Sequence, residues 1–577
     1  MVRTRAILLL TAALTLLAAH TATGAEDVKG YVDPAPASDD PFQAQWKHVS
    51  ETSAVIYWHV AGLSKEATGS YVEYGETDKY GQRTKTADRP TTTKVRDPNS
   101  RWAHLHWIKG LEPGKTYHYR TVMTLDGKKV TGKDLTFETK KVAGAVYLPG
   151  DLKGPPYTLD KPNTTYVLTK DVTAPATAII IDAPGVTLDL DGHTVTFGDD
   201  TDKAADGVAT GKKATGKVIV RNGHIRQGKR CGVYSCAVGT RWRAYPLEVC
   251  GISTDVHLKC AYPMRVFGRG KDVDIHHNHL YSRTTDIASR HYPGNDLLRI
   301  DDATNVKVHH NLLTEGCHRG ISLRSPKDAK PGNAEVYAND VRHHQQYVNG
   351  HAFVGMTYAR VHHNHVTSTG RGMQIGSDVQ IDHNWFDLQG HMTLSDMPAG
   401  SRPWKQRRVE LHGFKFEGKG CVNVKIHDNF MRITQHQPKG KWDYVPATPL
   451  NVGCYHPNAM NEVCGNTIVA LTTYKKTRHG GYGASGQWAS AIHLIGMTHG
   501  PAEAGKYSIY IHDNKFISND LFVSNNGNPN MTIRIEKNAF VLGDNPTEGH
   551  TVFSRRMPEA VRQAVKKGGN TFKGMKP

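Results

Sequence analysis

Long apolar runs are nearly missing from this chain. Past the segment Ala6 to Ala19, no stretch approaches the ~18 apolar residues that a membrane-spanning helix requires, so bilayer insertion is not expected. Acidic residues are too few to balance the basic ones, and the net charge is +18. That balance predicts attraction to polyanions, whether acidic polysaccharide, nucleic acid or an anionic surface; a merely soluble charged exterior is the plain alternative. No two cysteines stand as C-x-x-C, which disfavours a thiolate metal site. No helical periodicity interrupts the central region, which argues against an α/β fold.

What the chain does have is a repeated phrase: two apolar residues alternating with polar ones, then Asn. It reads Val273-Asp-Ile-His-His-Asn278, Val306-Lys-Val-His-His-Asn311, Arg360-Val-His-His-Asn364, Val379-Gln-Ile-Asp-His-Asn384, Val424-Lys-Ile-His-Asp-Asn429, Ile509-Tyr-Ile-His-Asp-Asn514 and Ile533-Arg-Ile-Glu-Lys-Asn538. Period-two alternation makes each copy a strand with one face in a core. The closing Asn suits a bend, because its side chain tolerates left-handed backbone. One strand and one bend repeated many times marks a solenoid of parallel strands, a β-helix.

The ends and joins follow from composition. Arg3 and Arg5 before the apolar run, with small residues at Ala22-Thr-Gly24, predict a secretory signal peptide over residues 1–24. The product would be secreted, extracellular or periplasmic, and monomeric. Residues 25–41, rich in Pro, Asp and Ala, read as a linker. In an exported chain the eight cysteines permit disulfides. Cys231/Cys236, Cys250/Cys260 and Cys454/Cys464 are close enough to pair locally, and Cys317 and Cys421 remain over.

Residues 42–141 alternate in short strands separated by turns, the spacing of a β-sandwich. Trp58 and Gly110-Leu-Glu-Pro-Gly-Lys-Thr-Tyr-His-Tyr-Arg120 resemble a fibronectin type III domain, in the version that precedes the catalytic domain of purple acid phosphatases. The metal-ligand motifs of those phosphatases are not found downstream, so the likeness stops at the sandwich. The resemblance implies that Trp58 is a core anchor and Tyr117 a corner residue. Residues 142–577 form the second unit. Here Val186-Thr-Leu-Asp-Leu-Asp-Gly-His-Thr-Val195 and Lys217-Val-Ile-Val-Arg-Asn-Gly-His-Ile225 resemble the opening coils of right-handed parallel β-helix proteins of the pectin-lyase-like superfamily. That superfamily holds lyases, hydrolases, epimerases and tailspikes, so the fold alone does not name an activity.

Candidate chemistry lies on the strands that open each coil. With Leu298, Ile300, Leu323, Met373, Ile375, Phe414 and Phe416 inward, the alternating residues face outward. These are Arg265, Arg299, Asp301, Ser322, Arg324, Gln374, Lys415, Glu417 and His493. Stacked in register they make a cationic stripe with carboxylates in it, suited to orienting a uronate and lowering the pKa of its α-proton. The loop Gly316-Cys-His-Arg-Gly320 brings His318 and Arg319 to the same place. The pattern resembles β-helix alginate lyases and chondroitinase B, in which a Lys base and an Arg lie on adjacent coils. Arg324 falls where the Arg would, but Asp301 stands in place of the base, which leaves His318 or Lys415 for that role. The expected assignment is catalysis by His318, Arg324, Asp301 and Lys415. Substrate would be held by Arg265, Arg299, Arg319, Gln374, Glu417 and His493. Three readings follow: a polysaccharide lyase on an acidic polysaccharide, a glycoside hydrolase using Asp301 with Glu417 or Asp302, or a non-catalytic attachment protein. Nucleic acid is the least favoured partner.

Secondary constellations carry less. The stacked histidines of the repeat suggest a metal ladder, but turn chemistry multiplied by repetition explains them as well. Calcium could use Asp301, Asp302 or Glu417, although no ligand spacing demands it. Tyr292, Trp404, Trp442, Tyr444, Tyr482 and Trp488 could stack on sugar rings or pack on the solenoid. Insertions over residues 281–296, 390–412 and 439–449 should stand off as cleft walls.

Overall fold

Apolar alternation is realised throughout as strand. The computed structural model describes residues 42, 45–61, 67–87, 101–240, 246–258, 261–268, 270–283, 296–316, 318–343, 350–368, 370–390, 411–416, 421–436, 446–453, 456–477, 488–495, 502–526 and 533–577. The signal and linker expectations, and most of the three insertions, lie outside these residues.

Before Val146 the strands are antiparallel. One sheet joins Gln45–Val49, Ser53–Ala61 and Arg101–Lys109; the other is built on Ala67–Gly75 and Thr116–Leu125, with shorter strands beside them. Their shared core holds Trp58, Ile56, Val60, Tyr117 and Phe137. The Tyr117 hydroxyl accepts a 2.9 Å bond from the Glu112 amide, so it ties the chain at that corner.

From Val146 onward the strands pair in parallel, and each coil carries three of them. Leu298–Asp301, Thr304–His309 and Leu312–Glu315 make one coil; Ile321–Arg324, Ala334–Tyr337 and Asp340–His343 make the next, in register above it. The opening strands alone form a fourteen-stranded parallel sheet from Tyr157–Leu159 to Thr551–Phe553. Inward side chains fill a continuous apolar core. All seven residues expected to point inward are buried. The described residues are almost entirely strand, as expected, with one helix among them. The helix Glu559–Lys567 packs by the strand Ile533–Glu536 and puts Val565 into that core.

The repeat's Asn does not do what its backbone tolerance suggested. The left-handed residue is the one before it: His277, His310, His363 and His383 have φ of 52–53°, and Asp428, Asp513 and Lys537 are at 53–55°. Asn itself turns inward and builds a ladder. Asn278, Asn311, Asn339, Asn364, Asn384, Asn429, Asn466, Asn514 and Asn538 each give a side-chain bond of 2.9–3.0 Å to the next, ending on Asn570. Sequence separations along the ladder range from 20 to 48 residues, because only the loops between coils vary. Three rungs, Asn339, Asn466 and Asn570, lie outside the phrases that the pattern picked out. In each, a small left-handed residue (Ala338, Gly465, Gly569) replaces His or Asp.

The antiparallel unit is docked on the early coils, and the LDLDG phrase receives it. Ser50 Oγ donates to both oxygens of Asp189, at 2.7 and 2.8 Å, and Thr52 and Ser53 donate to Asp191. Asn222 completes the set by donating to Ser50 and Ser53. Burial pushes the Asp189 carboxyl up, but His48, Arg221 and Ser50 outweigh it and hold it low; Asp191 is raised by burial. Trp46 stacks on His277 at 4.2 Å, Tyr57 meets His277 edge-on at 4.6 Å, and the Trp107 indole donates to Gly251 O at 3.0 Å. The histidine column is therefore partly an interface. It also bonds between coils: His309 to Asp274, His362 to Glu335 and His512 to Glu462.

The local disulfides are not formed. Cys231, Cys250 and Cys464 are free thiols, which removes all three expected pairs. Cys231 instead accepts a 2.8 Å contact from Gln227, and Cys250 lies on a strand whose outward neighbour is His276.

Two outcomes test this account. Asn384 donates to Val361 O, Asp382 O and Asn429, and accepts from Asn364. Asn384→Ala leaves buried partners unmet and should cost about 1–3 kcal/mol in urea unfolding. Separately, burial holds His277, His309 and His362 below the ordinary imidazole value, and His224 at about 3. These rings fold neutral but bind protons when unfolded. Their contribution is complete above about pH 6.5 and is lost progressively as pH falls below it. Thermal melts between about pH 7 and 5 should show that fall, and His277→Asn, which suits the left-handed turn, should reduce it.

Candidate functional site

Parallel register turns the outward residues of the opening strands into one row. Cα partners run Arg265, Arg299, Ser322 and Val354, then Gln374, Lys415, Asn451, His493 and Ser524. A second row pairs Asp301 with Arg324 on the next coil. Residues far apart in sequence are thus brought to steps of about 4.8 Å.

The N-terminal part of the stripe forms a cleft of about 480 Å³, lined by Arg299, Asp301, Arg319, Ser322, Arg324 and Gln374 among others. Arg299 Nε donates to Asp301 Oδ2 at 2.8 Å, and Arg265 reaches the same oxygen at 3.6 Å. Asp301 is buried and held by two guanidiniums, so it keeps the arginines in place. Arg324 is exposed and, among the described residues, engages no carboxylate. Arg319 reaches Ser322 Oγ only at 3.5 Å, and its Nε, like that of Arg265, is buried without a partner. Cationic hydrogen-bonding capacity is therefore left over.

His318 sits at the edge of this group. Its Nδ1 lies 2.8 Å from Oδ1 of Asp296, a carboxylate with no exposure to speak of (1%). Burial alone would raise Asp296; the bond from His318 and the charges of Arg319 and Arg299 more than offset it and hold the carboxyl below its usual range. A carboxylate on Nδ1 directs the lone pair to Nε2, which is how an imidazole base is oriented. Asp296 was missed by sequence reasoning. The available signal was its position directly before the strand pair Leu297-Leu298, at the end of a long insertion.

Other expected residues fall elsewhere. Lys415 is three coils beyond Ser322, roughly 14 Å away at one strand spacing per coil, so it is separate from His318 and Arg324. His493 is buried and bonds Ser524 at 2.8 Å, beside Trp488. That tryptophan is itself buried, which favours packing over sugar stacking. Between Lys415 and His493 lies a polar knot that sequence reasoning missed: His412 Nδ1 meets Thr448 Oγ1 at 2.7 Å and Asn451 Nδ2 at 2.8 Å. Counting register from Gln374 would have found Asn451. Glu417, Tyr292, Trp404, Trp442, Tyr444 and Tyr482 lie outside the described residues. Asp302 follows the end of its strand with φ 58° and is exposed, so it does not join Asp301 in an oxygen cage. The carboxylates described here do not fit the calcium expectation.

No protein-family model matches the chain, and no curated protein does. Among solved structures, a Yersinia enterocolitica family 28 exopolygalacturonase is similar at 10% identity and a TM-score of 0.30. It covers 92% of this chain and 98% of its own. So slight a likeness leaves function to the site.

Because Asp296 is sealed and paired, His318→Ala leaves a buried carboxylate without its partner. Chemical denaturation should show a loss of about 3–5 kcal/mol, and Asp296→Asn in the same background should recover part of it.

Proposed function

We propose that the chain is an exported enzyme that cleaves an acidic, uronate-containing polysaccharide by β-elimination, with the glycan laid along the outward row of the opening sheet. In this reading residues 1–24 are a signal peptide and 25–41 a linker. Residues 42–141 are a fibronectin type III domain and 142–577 a right-handed β-helix. The observation that carries the activity is the His318–Asp296 pair beside an excess of arginine. Of the four guanidiniums gathered here (Arg265, Arg299, Arg319 and Arg324), Asp301 engages two, Arg299 at 2.8 Å and Arg265 at 3.6 Å.

The chemistry follows from that arrangement. Arg324 and Arg319 bind the substrate carboxylate and spread the charge that develops when the α-proton leaves. Asp296 holds the His318 tautomer in which Nε2 takes that proton. The carbanion's electron pair forms the new C4–C5 double bond, the C4–O bond breaks, and the departing oxygen takes a proton from water. The imidazolium then returns its proton to solvent. Asp301, locked between Arg299 and Arg265, holds the cationic wall rather than acting as an acid. Gln374 and Lys415 line the further course of the row.

The test is incubation with a panel of uronate and neutral glycans, following reducing ends together with the ultraviolet absorbance of an unsaturated uronate. Both signals should rise in proportion on a uronate polymer. His318→Gln and Arg324→Ala should each lower kcat by about 10²–10⁴-fold, with binding partly kept. Reducing ends without absorbance would make the chain a hydrolase. Binding without either signal would make it an attachment protein.

A further inference from the structure

The four residues Glu-Val-Cys-Gly occur twice, at Glu248–Gly251 and Glu462–Gly465. In both copies Glu and Cys share the outward face of a strand, the Gly is left-handed, and a histidine of the next coil lies in register with the Cys: His276 over Cys250, His512 over Cys464. In each set one carboxylate oxygen, the thiol sulfur and one imidazole nitrogen all lie within 4.8 Å of one another. Ligands drawn from two coils leave no short-range spacing in the sequence, so the lack of C-x-x-C does not bear on them.

The two sets differ in what surrounds them. Glu248 is already engaged by Lys217 at 3.0 Å, and Arg221 lies in register beneath Cys250. The free side of His276 faces another imidazole, with Nδ1 2.7 Å from His277 Nδ1, under the edge of Trp46. At the second set, His427 lies beneath Cys464 in place of arginine. Lys425 is in register with Glu462 but forms no ion pair with it among the described residues. His512 Nδ1 is 2.7 Å from Asp513 Oδ2, and its Nε2 points at Glu462, 2.9 Å away. A carboxylate behind one ring nitrogen with the other aimed at the ligand cluster is the arrangement that orients metal-binding histidines. Asp428 is also close, its amide bonding Cys464 O. Glu462 and His512 are partly exposed, so a cation has access.

We propose that Glu462, Cys464 and His512 form a binding site for a divalent zinc-class cation, clipping two coils together on the outer wall of the solenoid. One sulfur, one nitrogen and one oxygen suit a tetrahedral borderline-soft ion, with the remaining position left for water. Binding deprotonates Cys464 and releases that proton to solvent. The Glu248–Cys250–His276 set serves as a control within the same chain: identical ligands, with the carboxylate occupied by lysine.

Cobalt(II) titration of the full-length metal-free protein tests this directly. One equivalent should bind with a thiolate-to-cobalt charge-transfer band in the near ultraviolet and should be displaced by zinc. Cys464→Ser and His512→Ala should abolish the band, while Cys250→Ser should leave it unchanged. Unaltered far-ultraviolet circular dichroism in each variant separates ligand loss from misfolding. If Cys464→Ser fails that check, protection of the wild-type Cys464 thiol from alkylation by added zinc gives the answer instead. No band, a band that survives Cys464→Ser, a band lost only in Cys250→Ser, or no zinc protection would each overturn the site. None of these readings involves glycan cleavage.

Discussion

Parallel coils at a fixed spacing impose one constraint on everything else: a side chain must tolerate its own counterpart directly above and below. Asparagine meets it because its short side chain is donor and acceptor at once. Each ladder Asn therefore satisfies the next and also ties a backbone carbonyl of the coil below. The ladder lets loop length vary widely without loss of register, since a one-residue slip would break a bond at every level and turn the apolar set outward.

The same constraint shapes the cleft. Like charges stacked one coil apart repel, and Arg265 over Arg299 is such a pair. Asp301, shifted by one outward position, lies within reach of both and makes the stack tolerable. Arg324 engages no carboxylate among the described residues, and there positive charge remains for a ligand. Histidine answers the constraint differently. Its rings stack at 4.9 Å with almost parallel planes, as His276 on His309 and His277 on His310, and burial holds His277 and His309 below the ordinary imidazole value, away from the protonation that would drive the rings apart.

The docked antiparallel unit explains two features that looked purely local. The aspartates of the LDLDG phrase accept hydroxyl and amide donors from the Ser50–Ser53 turn, and His277 and His310 meet aromatic residues of that unit. A phrase shared by opening coils is here put to work as a socket.

Strand identity, the inward and outward faces, the solenoid and the cationic row were all legible in the sequence, because period-two alternation and a repeated closing residue are local properties of the chain. Trp58 and Tyr117 were legible for the same reason, since each sits in a short motif. Three things were not. Left-handed backbone belongs to the residue before Asn, because burial of the amide in the ladder outweighs its preference for turns. Asp296 meets His318 across 22 residues that carry no pattern, and Cys231, Cys250 and Cys464 are free thiols because nearness in sequence does not by itself meet the geometry of a disulfide. Sequence by itself determined which residues face out and in what order. Only the stacking of coils decided which of them touch, because contact across the coils depends on loop lengths and register that no local stretch encodes.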